Sequence, residues 1–160
     1  MGKFISILTF PGVIIHELSH EFFCRMLGVR VKKVCYFRLG NPAGYVIHES
    51  SNNFYQAFLI AIGPLLAGTF LSMAAFTGGK HQDMFFQKYV LIWLGVSIAV
   101  NCMPSKGDAK SLWLENWFHF KRNVLAILGL PFTAAVWVVS AVDSIWLRFF
   151  YACFLFFITW

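Results

Sequence analysis

Four or five apolar stretches, separated by short polar segments, run along the chain. The first extends from about Phe4 to Leu27 and is interrupted by His16, Glu17, Ser19, His20 and Glu21. The second, Phe54 to Gly79, contains no charged residue, and the third runs from about Lys88 to Met103 and stops at Pro104. The fourth, Asn123 to Val142, is uncharged and holds Pro131, where a kink is expected. The last, Ser144 to Trp160, is short and carries Arg148 near its start, so it either spans or lies partly in the interface. A bilayer core is crossed by about 20 mostly apolar residues. The pattern therefore predicts an all-α membrane protein with four to five transmembrane helices.

The segment after the first helix has a different texture. Residues 30–39 read RVKKVCYFRL and residues 44–49 read GYVIHE, with Gly40-Asn41-Pro42-Ala43 between them. Val, Tyr, Phe and Ile flank a turn signal, which predicts a β-hairpin.

Composition agrees with the bilayer as solvent. The chain is 59% hydrophobic and 12% charged over 160 residues. Soluble chains carry about 25% charged residues. The length allows one domain, a single membrane unit spanning 1–160. Its core is expected at 4–110, with an amphipathic segment and accessory helices over 111–160. Trp113, Trp117 and Phe118 with Lys110 and Lys121 predict an interfacial helix there. The net charge of +6 does not come with a basic, aromatic-interleaved run, so nucleic acid is not expected as a partner. Cys24, Cys35, Cys102 and Cys153 form no CxxC pair and read as small apolar residues.

The cations orient the chain. Loops 25–53 and 104–122 together hold nine Lys and Arg, against four at Lys3, Lys80, Lys88 and Arg148. The positive-inside rule then places the N-terminus outside and the ends of the first and third helices in the cytoplasm of a multi-pass cell-membrane protein.

Residues 16–20 read His-Glu-Leu-Ser-His, an HExxH pattern on a predicted helix. His16 and His20 then lie about 40° apart on one face, one turn from each other. Two imidazoles so placed reach one tetrahedral Zn²⁺. Glu17, about 100° away, reaches a water at the metal without ligating it, as a general base must. A central acid in a span costs roughly 2.5–3.5 kcal/mol on insertion scales, so such residues mark function. For the third ligand the candidates are Glu21, His48, Glu49, Asp108 and His119. Glu21 is poorly aimed from the same helix. Asp108 lies just past the cytoplasmic end of the third helix, after a break at Pro104 and a turn at Gly107, and is preferred on location.

HExxH in the first helix, with Asn101-Cys102-Met103-Pro104 and then Asp108 at the third, resembles the site-2 proteases, a family of intramembrane zinc metalloproteases. The resemblance covers residues 4 to about 110. It departs where Asp108 is followed by Ala109 in place of glycine, and no PDZ or CBS domain is present. The Gly63-Pro64 pair in the second helix is a weaker point of similarity. The resemblance implies zinc ligation by His16, His20 and Asp108, water activation by Glu17, and Asn101 lining the site, its amide aiding the oxyanion. It implies a membrane-protein or peptide substrate that must unwind locally; the hairpin edge at Gly44, Tyr45, Val46 and Ile47 either takes that peptide as an added strand or is an interfacial loop that only packs. A regulatory subunit or an oligomer is compatible with it. The expected function is thus a zinc-dependent intramembrane endopeptidase. The alternatives are a non-catalytic zinc-binding assembly or regulatory protein and, less favoured, a metal transporter, which would want ligands on several helices.

Overall fold

The computed structural model describes residues 3–119, 124–142 and 144–160. The apolar run at the N-terminus forms two helices, α1 (Lys3–Leu8) and α2 (Phe10–Met26), where one was expected. The break at Thr9 has a chemical cause. Pro11 sits in the first turn of α2 and offers no N–H to the turn before it. The Ile5 carbonyl accepts both the Thr9 N–H at 2.9 Å and Thr9 Oγ1 at 2.8 Å.

At its other end α2 closes on Gly28, whose φ of +73° is a left-handed conformation that suits glycine. Gly28 N donates to Arg25 O and Val29 N to Cys24 O at 2.8 Å, which satisfies two of the last carbonyls. The chain then enters β1 (Val31–Cys35) and returns as β2 (Tyr45–His48). The strands pair antiparallel, Val34 opposite Val46 and Cys35 opposite Tyr45, as the turn signal at 40–43 predicts.

Four of the remaining helices follow the expected stretches: α3 (Phe54–Lys80), α4 (Phe85–Asn101), α6 (Val124–Ala141) and α7 (Ile145–Thr159). α5 (Lys106–His119) begins two residues before Asp108, so Gly107 is helical and not a turn. Both α3 and α6 continue through an internal proline, Pro64 and Pro131. Of the orienting cations, Lys121 and Arg122 lie outside the described residues.

Helices α2, α3 and α4 pack on one another, α7 leans on α3 and α4, and α5 joins α3 and α6. Polar groups are turned inward at these seams. Ser72 Oγ donates to the Gly95 carbonyl, and the Gly12 N–H donates to Ser97 Oγ, both at 2.9 Å. Apolar rings face outward, with Phe70, Phe86 and Phe157 between 74% and 79% exposed. Among the described residues α3 alone is long and apolar enough to cross a membrane, or up to three spans exist if α4 with α5 and α6 with α7 each count as one bent span.

Candidate metal centre

α2 carries His16 and His20 one turn apart, so their rings lie side by side with centroids 4.8 Å apart. Their Nε2 atoms face each other at 3.2 Å. Asp108, in the first turn of α5, reaches both: Oδ2 is 3.4 Å from His16 Nε2, and Oδ1 is 3.2 Å from His20 Nε2. All three groups offer a ligand atom within 4.8 Å of the others.

The opposite ring nitrogens rest on backbone carbonyls. His16 Nδ1 lies 2.7 Å from the Asn101 carbonyl and His20 Nδ1 lies 2.9 Å from the Ile60 carbonyl. A carbonyl only accepts, so each Nδ1 carries a proton and each Nε2 is turned toward the other ring and Asp108. Two Nε2 atoms and a carboxylate converging on one point make a group that could hold a cation. Backbone carbonyls fixing imidazole ligands in this way are the usual outer support of a metal site. Two imidazoles and a carboxylate are a donor set that zinc accepts with room for a fourth ligand. The donor chemistry therefore fits the group that the sequence implies.

Asp108 is held by the start of its own helix. Ser105 N donates to Asp108 Oδ2 at 2.7 Å, while Asp108 N donates to Ser105 Oγ at 3.2 Å. This reciprocal cap fixes the carboxylate where the helix N-terminus favours negative charge. The Ser-x-x-Asp spacing was a readable signal for it.

Glu17 is buried beside the ligands and lines the same cavity, about 790 Å³ in volume. The hairpin closes over it. A Cβ on Gly44 would lie 2.6 Å from Glu17 Cγ and 2.9 Å from its Oε1, so a side chain there would displace Glu17. Tyr45 and Val46 follow in β2 and also line the cavity. Tyr45 is covered by Arg38 and Lys33, at 5.1 and 5.8 Å from its ring centre.

Asn101 contributes differently from expectation. Its amide nitrogen donates to Thr9 Oγ1 at 2.9 Å and Ser97 O at 2.8 Å, so the side chain ties α4 to the start of α2. Its backbone carbonyl is what touches the site. The other ligand candidates are engaged elsewhere. Glu21 accepts from Arg25 at 2.6 Å and from the Tyr36 hydroxyl, which pins β1 to α2. That bond raises the Tyr36 phenol above the usual tyrosine range. His48 lies beside the cavity with Nδ1 on the Glu49 carbonyl, and the Glu49 carboxylate is 3.8 Å from Lys32. The side chain of His119 lies outside the described residues.

One cavity residue was not anticipated. Arg148 of α7, counted from the sequence with the cations of the outer side, is instead 6% exposed in the same cavity as His16, His20 and Asp108 and donates from Nη1 to the Val100 carbonyl at 2.8 Å. No protein-family model matches this chain, and no curated protein or solved structure matches it either.

Proposed function

We propose that this chain is a zinc-dependent intramembrane endopeptidase of the site-2 protease type. The observation that carries the reading is the convergence of two proton-fixed imidazoles and a capped carboxylate, with a second buried carboxylate, Glu17, beside them and outside the ligand trio. A purely structural metal site has no use for that extra acid.

His16, His20 and Asp108 would hold the zinc. Bound there, it supplies Lewis acidity, polarising a peptide carbonyl and easing deprotonation of water. Glu17 takes the proton from the attacking water at its carboxylate and returns it to the leaving nitrogen. Gly44 leaves space for that carboxylate and the hairpin screens it from bulk water. The unpaired edge of β2 is available to an extended peptide, which must be unwound before its amide can be attacked.

The lipid setting is part of the proposal. α2, α3, α4, α6 and α7 are read as four to five spans, with the N-terminus outside and the metal centre toward the cytoplasm. The outward phenylalanines and inward serines support this, because lipid rewards that inversion and water does not.

The test is Glu17→Gln in detergent-purified protein and in liposomes holding a single-span peptide reporter. The variant should retain one zinc and lose cleavage. Cleavage at the wild-type rate by Glu17→Gln, or wild type that binds no zinc, refutes the reading.

A further inference from the structure

His20 obtains its acceptor from an unusual place. The Ile60 carbonyl lies within α3, where a carbonyl ordinarily accepts the N–H four residues later. The residue four positions later is Pro64, which has no N–H. A proline ring also crowds the carbonyl four residues before it and tilts it away from the helix axis. Pro64 thus leaves one buried carbonyl unclaimed at the seam between α2 and α3. In a lipid-surrounded bundle such a group must find another donor. His20 Nδ1–H takes it at 2.9 Å.

A related case stands at the end of α4, whose last carbonyls have no helical partner. Pro104 lies four residues after Val100 and offers no N–H to the Val100 carbonyl, which accepts instead from Arg148 Nη1 at 2.8 Å. The next carbonyl, Asn101 O, stands where the helix ends and accepts from His16 Nδ1. Both ligand histidines therefore rest on carbonyls released from helical bonding, one by a helix end and one by a proline.

We propose that Pro64 is a positioning residue for the metal centre: it frees the Ile60 carbonyl that fixes the His20 ring with its Nε2 toward the metal. This rests on the zinc-site reading above. In Pro64→Ala, an N–H returns at position 64 and reclaims the Ile60 carbonyl. His20 then loses its exclusive acceptor, while α3 becomes a better helix.

Two properties should therefore move in opposite directions. By competition with a chromogenic chelator, the zinc dissociation constant of Pro64→Ala rises about 10–100-fold, as for loss of an outer-shell partner. The thermal midpoint of the metal-free variant is no lower than that of wild type. Pro131→Ala, the same exchange in α6, leaves zinc affinity unchanged. Unaltered affinity in Pro64→Ala overturns the proposal, as does an affinity loss matched by Pro131→Ala. Should Pro64→Ala fail to fold, labelled-histidine NMR of wild type decides. A proton on His20 Nδ1 bonded to a carbonyl sustains the proposal, and a proton on Nε2 overturns it. If wild type binds no zinc, the endopeptidase reading fails. The proline inference is then judged on whether the Nδ1 proton of wild type is lost or shifted in Pro64→Ala.

Discussion

On the proposed endopeptidase reading, Gly44→Ala separates the role of Glu17 from that of the metal. Gly44 has a backbone conformation that alanine adopts, since Gly28 is the glycine with positive φ among the described residues. The added methyl is therefore the whole perturbation. It would stand 2.6 Å from Glu17 Cγ, 2.9 Å from Glu17 Oε1 and 2.9 Å from the Tyr36 carbonyl oxygen. Ordinary carbon contacts begin near about 3.5 Å, so something must move by about 1 Å. Tyr36 is backbone, tied through the hairpin and through its hydroxyl to Glu21, and resists movement. Glu17 is a side chain and yields. Overpacking of this kind costs about 1–3 kcal/mol, which lowers the melting temperature without unfolding the bundle. The catalytic consequence is larger, because a misplacement of about 1 Å costs about 100-fold in rate.

None of the three nearest atoms belongs to a metal ligand, so zinc stoichiometry should stay at the wild-type value while reporter cleavage in liposomes falls about 100-fold. Two results refute this reasoning. Cleavage near the wild-type rate means that the hairpin does not set the position of Glu17. Loss of zinc in step with activity means that Gly44 supports the ligands and not the base.

The ligand trio makes a simpler forecast: His16→Ala, His20→Ala and Asp108→Ala each purify with little or no zinc by elemental analysis, and a metal-replete Asp108→Ala would reassign the third ligand. Ser105→Ala should weaken zinc binding about 10-fold in chelator competition through loss of the cap that aims Asp108, whereas Ser105→Thr, which keeps the hydroxyl, restores it. The Tyr36–Glu21 bond gives a pH dependence whose sign follows from its direction. The folded phenol titrates above the unfolded one, so the bond contributes fully below the usual tyrosine range and is lost as pH rises through the raised value. Phenolate absorbance should thus show a late-titrating tyrosine in wild type that is missing from Tyr36→Phe.

What the sequence made legible follows from what each signal encodes. The HExxH spacing encodes side-chain direction on a helix, and the two rings do face one another at 3.2 Å. Asp108 was reached from topology and resemblance, and the chain brings it to both rings. Where a backbone group contacts the site, side-chain patterns do not announce it. Asn101 was expected to act through its amide, but that amide is spent on Thr9 and Ser97, and its carbonyl orients His16. The break at Thr9 and the early start of α5 were written in Pro11 and in the Ser105-x-x-Asp108 pair, signals that compete poorly with a long apolar run. Tyr36 meeting Glu21 needs the hairpin folded back on α2, which no local pattern carries. The backbone acceptors are not wholly silent, however. Every helical proline names the carbonyl four residues upstream that it deprives of a partner. In water such a carbonyl is solvated and says little, but within a bundle surrounded by lipid it must recruit a donor from a neighbouring helix. At Pro64 that rule points to Ile60, and the end of α4, where Pro104 follows the helix, leaves the Val100 carbonyl likewise; the donors that answer are His20 and the buried Arg148 in the same cavity.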